Sequence, residues 1–448
     1  PPHLQGADFN FQDKYKTLNI YKFSQDFCHN TFKKILTYYA QVINDNCYYE
    51  LILGIIIYMQ GGEIFAEILA GEKWAEIDDP NDLKIAKFIF DKSAQKEILD
   101  NSFGGYWNYD ILDYCFIRNM YFPPNAILSE LKNNLSKLIH NYGSKQTILN
   151  QKLATYLLCD ENRAIALNGL SQIYPILEQY LEGKKVLIPE PSFGEYSRIF
   201  PNKLTYSDKI GFNTEEIQEK IPHCQVIVIV NPNNPTGSLL PTQWIYDLAV
   251  KYSEILVIVD ESFIDFSQEQ SILHLLEITP LNNVILLTSL SKSLGVPGIR
   301  LGYSYSANSQ FNHYVRGKIP IWNLNSLAEY YLEIILKFRD NIKLSFQKTK
   351  EDRDKFTEEL QKLPIVDRIY PSSGNFLLVR LNCDFNVKNH IIERLLSEHG
   401  IYIKDVSDRF QGEKGYFRLA VRNGQDNQKF VQCFHQVVTE VTDFANIS

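Results

Sequence analysis

Three apolar runs in this chain each lead, within a few residues, to a side chain able to do chemistry. Val226–Val230 continues into Asn231-Pro-Asn-Asn-Pro-Thr-Gly237, and Ile255–Val259 into Asp260-Glu-Ser-Phe263. Val284–Thr288 continues into Ser289-Leu-Ser-Lys292, with Gly298-Ile-Arg300-Leu-Gly302 close behind. A lysine just beyond a buried strand loses hydration and meets neighbouring cations. Both effects lower its ammonium pKa and free an amine for a Schiff base. A carboxylate at another strand end, Asp260, can pair with a pyridinium nitrogen and keep it protonated, which strengthens an electron sink. Ser289 and Arg300 supply a hydroxyl and a guanidinium fork suited to phosphate. Singly, each has a plainer reading as a solvated strand-end charge or, for Asn-Pro-Asn-Asn-Pro, a turn. Their order and shared strand-end context give them weight, since open α/β sheets bind ligands there.

The elements that must position these residues follow from the same runs. With Val186–Pro189 they are short, β-branched and bounded by polar residues, which predicts buried strands of a mostly parallel sheet in an α/β fold. Beyond about residue 330, a long helical stretch precedes a strand at Asn375–Leu381, a helix at 388–399 and a strand at Tyr416–Val421, predicting a smaller α+β domain beside that sheet. Gly104-Gly-Tyr-Trp-Asn-Tyr109 and Phe122-Pro-Pro124 read as an extended linker and arm. The expected division is a first block at 1–98, a linker, N-terminal arm and start of the small domain at 99–149, a large ligand-binding domain at 150–330 and a small C-terminal domain at 331–448.

Composition sets outer bounds. A chain of 448 residues, 45% hydrophobic, can bury a large core. A formal charge of −8 argues against nucleic-acid or membrane-surface partners. The seven cysteines are odd in number and form no C-x-x-C pair, as expected of reduced thiols in a cytoplasmic protein. No secretory signal is visible, and the most apolar stretch, Leu51–Met59, is too short to span a bilayer and reads as a core element. The chain opens Pro1-Pro2-His3, which reads as the later part of a longer product. No G-x-G-x-x-G follows a strand, which sets aside a dinucleotide-binding oxidoreductase.

The ordered set Asn-Pro-x-Asn-Pro-Thr-Gly, Asp-Glu-x-[Tyr/Phe], Ser-x-x-Lys and Gly-x-Arg-x-Gly resembles class I/II aminotransferases over roughly residues 104–445. The branch of histidinol-phosphate aminotransferase and threonine-phosphate decarboxylase is the most similar. The resemblance implies the aspartate aminotransferase fold (fold type I) and a pyridoxal 5'-phosphate cofactor. Lys292 would then form the Schiff base and move the Cα proton, Asp260 bind the pyridine nitrogen, and Asn234 bond the ring hydroxyl oxygen. Ser289 and Arg300 would hold the cofactor phosphate, with backbone N–H groups from the Leu170-Ser171 turn at a helix start. Phe193 would stack on the ring, with Tyr196 as the alternative, and Arg418 would pair with the substrate α-carboxylate. Tyr142 would reach the cofactor phosphate of a partner subunit, implying a homodimer with a shared active site. Asn375 would support the site.

Transamination of a small phosphorylated amino acid or amine is the first expectation from this resemblance. Two details pull toward a phospho-amino acid decarboxylase: Phe263 stands where most transaminases of the group have tyrosine, and Trp322 lies in Pro320-Ile-Trp-Asn-Leu-Asn325. A catalytically silent module is disfavoured because the lysine, aspartate, asparagine and phosphate ligands are all retained. Thr17–Phe23, Tyr48-Tyr-Glu50 and Trp74-Ala-Glu-Ile-Asp-Asp79 resemble the C-terminal half of a phosphocholine-type cytidylyltransferase. That likeness points to Asp78 as a magnesium ligand; the plainer reading is an acidic turn capping the next helix. The Gly-rich nucleotide loop of such a domain is missing from this chain, so magnesium and nucleotide transfer are expected only where a complete domain exists.

Overall fold

The computed structural model describes residues 17–59, 65–69, 71–410, 412 and 414–445. The chain divides into two compact units, Pro1–Asp82 and Leu83–Ser448. In the first, the longest described helices are Lys33–Val42 and Tyr49–Tyr58. The apolar run read as a core element is the second of these. It buries Ile52, Leu53 and Ile56, but Ile57 and Tyr58 are exposed. A run with no periodic polar positions has no face suited to water, so burying one side of the helix exposes apolar groups on the other.

The acidic element before residue 83 is a helix cap. Asp79 Oδ1 accepts from the backbone N–H groups of Asn81 (2.6 Å) and Asp82 (2.9 Å). Asp82 Oδ2 accepts in return from those of Asp78 (3.0 Å) and Asp79 (3.2 Å). This reciprocal arrangement opens the helix Pro80–Phe90, with proline at its first position. Among the described residues no group of three or more His, Cys, Asp or Glu could hold a metal.

Among its described residues the second unit holds thirteen strands: β1 Leu112–Asp113, β2 Ala164–Asn168, β3 Val186–Glu190, β4 Leu204–Ser207, β5 Val226–Val230, β6 Leu256–Asp260, β7 Val284–Thr288, β8 Leu301–Tyr305, β9 Val366–Tyr370, β10 Phe376–Leu381, β11 Ile401–Tyr402, β12 Lys404–Asp405 and β13 Tyr416–Ala420. Seven form the main sheet in the order β2-β8-β7-β6-β5-β3-β4. All its pairings are parallel except the two made by β8. Every residue of β5 and β7 is buried, because helices cover both faces and leave no side for polar alternation. A second, antiparallel sheet has the order β12-β13-β10-β9, and β1 pairs with β11 in parallel.

The Gly104–Tyr109 stretch is not an extended linker. Gly105, at φ 68°, reverses the chain into a tight turn at Tyr106–Asn108. Tyr106 and Tyr109 are thereby buried with Phe88, Leu99 and Tyr402. Two large rings within four residues gain more from that burial than from exposure as an arm. No helix among the described residues is long and apolar enough to cross a membrane.

Candidate active site

Sheet topology explains how distant segments meet. β5, β6 and β7 are adjacent and parallel, so Asn234, Asp260 and Lys292 emerge at one edge. β2 and β3 end at that edge too and bring Leu170, Ser171 and Phe193. β8 runs the opposite way, so its start lies there, and Arg300 is the residue before it. These residues, with Ser289 and with Arg418 from the small sheet, line one cavity of about 330 Å³.

Lys292 sits in a short helix, Leu290–Ser293, whose N-cap is Ser289. Its carbonyl accepts from Asn119 N at 3.0 Å, which fixes the turn. Burial, then the charges of Arg418 and Arg300, bring its ammonium pKa down to about 8. Near neutrality a useful fraction is therefore free amine.

Asp260 is buried. Ser262 bonds its Oδ1 through the backbone N–H (3.1 Å) and Oγ (2.6 Å), and the Tyr196 hydroxyl donates to Oδ2 at 2.8 Å. Burial raises its pKa and these donors oppose the rise. No Lys or Arg is paired with this carboxylate among the described residues. A buried carboxylate with donors but no cation fits a pyridinium N–H.

At the other end, Arg300 donates through Nη2 to Ser171 Oγ (2.8 Å) and through Nη1 to Pro297 O (3.2 Å). Gly169, at φ +69°, makes room for it: a Cβ there would lie 2.3 Å from Arg300 Nη2. The Gly169-Leu170-Ser171 turn leads into the helix Ile173–Tyr180, so hydroxyl, guanidinium and helix start converge as a phosphate seat.

Arg418 bonds Asn234 Oδ1 (3.1 Å) through Nη1 and Cys115 O through Nη2, while its Nε is buried without a partner among the described residues. Burial lowers its pKa to about 10. Two further cations line the cavity. Lys404 lies over the Phe103 ring at 5.8 Å, and Arg409 donates to Ser192 O at 2.9 Å. Phe263 packs edge-on against Phe376, with centroids 5.1 Å apart, in an apolar cluster with Ile117 and Ala420.

Two expected residues, Tyr142 and Asn375, are not part of this cavity's lining. Tyr142 is 78% exposed and stacks on Trp322 at 4.4 Å, outside the cavity lining. Asn375 is fully buried, and neither of its side-chain polar atoms has a partner among the described residues. Asp78 belongs to the helix cap. Tyr196, the alternative to Phe193, is not part of the cavity lining, and its hydroxyl donates to Asp260. Sequence reading missed Ser262, Lys404 and Arg409. Ser262 had a local signal, since a serine two residues after an aspartate often bonds it in a turn. Lys404 and Arg409 had only their closeness to Arg418 in sequence.

A desolvated strand-end lysine, a buried carboxylate lacking a cation and a phosphate seat on a mostly parallel seven-stranded sheet define a pyridoxal-phosphate enzyme of fold type I. The chain belongs to the aminotransferase class I and II family, which matches residues 110–433, and pyridoxal phosphate is its cofactor. It is 28% identical to the CMP-5'-(3-aminopropyl)phosphonate synthase of Streptomyces rubellomurinus, over 97% of this chain and 70% of that protein. It is also 28% identical to the L-serine phosphate decarboxylase of Sulfurospirillum multivorans, over 73% and 88% of the two chains. The crystal structure of the histidinol-phosphate aminotransferase from Clostridium acetobutylicum has a TM-score of 0.65 at 27% identity, covering 74% of this chain and all of that one.

Proposed function

We propose that this enzyme breaks a bond to Cα of a small amino acid carrying a second anionic group, phosphate or phosphonate, and that the bond broken is the one to the carboxylate. The observation behind the substrate class is the surplus of positive charge. Lys404, Arg409 and Arg418 line the cavity beyond the phosphate seat, and none of them has a carboxylate partner among the described residues. Such cations in a desolvated cleft favour a substrate that brings two anions.

Bound pyridoxal phosphate supplies an electron sink for the pair left at Cα. The protein supplies orientation and the proton. Arg418, Arg409 and Lys404 hold the substrate's anions and so choose which bond faces the sink. Lys292 Nζ then carries the proton that reaches Cα after CO2 leaves. Decarboxylation is favoured over transamination by Phe263. Its ring offers no hydroxyl to the cofactor and forms, with Ile117 and backed by the buried Phe376, an apolar wall that disfavours a hydrated carboxylate more than departing CO2. The serine-phosphate decarboxylase relative supports this reading, as the histidinol-phosphate aminotransferase likeness supports transamination. The exposed Tyr142–Trp322 stack supports the proposed homodimer, in which Tyr142 would serve a partner's site. The match to the Streptomyces synthase reaches into the first unit, which supports a link to nucleotide chemistry there.

Phosphoserine, phosphothreonine and histidinol phosphate, each with and without 2-oxoglutarate, separate the readings. We expect CO2 from a phospho-amino acid without any acceptor. Glutamate formed only when 2-oxoglutarate's partner substrate is present would establish transamination instead.

A further inference from the structure

We propose that Tyr196 and Ser262 are positioning residues that keep the proton of the bound cofactor on its ring nitrogen, by holding Asp260 as a carboxylate. The proposal rests on the placing of Asp260 against that nitrogen and is independent of which Cα bond breaks.

An ionised carboxylate offers about four acceptor positions. Ser262 fills both on Oδ1, through its N–H and its Oγ. Tyr196 fills one on Oδ2, at 2.8 Å. The position left is the second on Oδ2, so the oxygen that meets the ring N–H is the one Tyr196 already bonds. Ser262 Oγ also accepts from Ser289 N at 3.1 Å, tying the aspartate to the turn that carries Lys292.

In such a bridge the proton rests on the more basic partner. Burial makes Asp260 more basic, which would draw the proton off the ring and weaken the electron sink. Each donor to the carboxylate opposes that drift. Its titratable neighbours add no positive charge. Tyr174 meets Tyr196 edge to face at 5.6 Å, and burial raises both phenols well above their usual pKa. Glu261 turns away, accepting from Ile272 N at 2.9 Å and from Ser271 Oγ. The three donors, two hydroxyls and the Ser262 N–H, thus tip the bridge toward pyridinium and carboxylate, and the hydroxyls are the part that side-chain substitution can remove.

The test is the nitrogen-15 chemical shift of ring-labelled pyridoxal phosphate bound to the full chain. We expect a protonated-ring shift in the unsubstituted protein and a move toward the unprotonated value in Tyr196→Phe. Ser262→Ala should move the same way by less, because its backbone N–H remains. Tyr196→Phe keeps the ring that packs against Tyr174, and Ser262→Ala provides an independent arm. Both variants binding cofactor with the unsubstituted shift would overturn the proposal. An unprotonated ring in the unsubstituted protein would overturn the placing of Asp260 itself.

Discussion

Arg300 and Arg418 bring the same group to two ends of one cavity in opposite condition. Arg300 is exposed, and its hydrogen bonds to Ser171 and Pro297 fix it in place. Arg418 lies on a strand of the small sheet, with a lowered pKa and a buried Nε that nothing in the described protein meets. An exposed guanidinium with partners can wait in water at little cost. A desolvated one with an open donor is costly until an anion arrives. The first condition suits a cofactor that stays, the second a substrate that comes and goes.

Substitution should separate the two ends. Arg418→Ala removes a desolvated charge contact worth about 2–5 kcal/mol, so kcat/KM for the phospho-amino acid should fall on the order of 10²-fold. Most of that loss should fall in KM, while cofactor affinity stays within a few-fold. A loss of cofactor matching the loss of substrate would erase the distinction. Arg300→Ala should act in the reverse sense, weakening cofactor binding about 10-fold, since charge-assisted hydrogen bonds at an exposed site are partly screened. Titration of apoprotein with pyridoxal phosphate reads it.

The smallest effect is on the amine both arginines face. Lys292 has its pKa lowered to about 8 by burial and then by Arg418 ahead of Arg300. Removing a nearby positive charge favours the ammonium form, so either variant should raise this pKa, Arg418→Ala the more. Capture of pyridoxal, which lacks the phosphate and so bypasses its seat, should then need higher pH in the order unsubstituted, Arg300→Ala, Arg418→Ala. A reversed order would mean that the exposed charge, not the buried one, governs the lysine.

What could be read from sequence follows the same division between buried and exposed. β5 and β7 stood out as unbroken apolar runs because both faces are covered, and the residues at their ends could be placed at one edge. β8, Leu-Gly-Tyr-Ser-Tyr, escaped notice although it is equally buried: its glycine and serine have the polarity of a turn, and only antiparallel insertion between β2 and β7 makes them strand residues. β4 and β9, at sheet edges, carry mixed burial and no clear period. The bond from Tyr196 to Asp260 depends on how the helix Gly194–Ile199 rests over β6, which no local pattern encodes. Lys404 and Arg409 face the cavity through the fold of the small sheet, so their charge alone looked like any solvated surface.

The interlock of Gly169 with Arg300 constrains how this site can change over generations. The space a methyl group would need at 169 is already taken by the guanidinium. A lineage that enlarges residue 169 first must displace Arg300 and lose its grip on the phosphate. One that shortens residue 300 first frees that space, after which glycine is no longer demanded by contact, though its positive φ still favours it. The two positions should therefore vary as a pair, with the arginine yielding before the glycine.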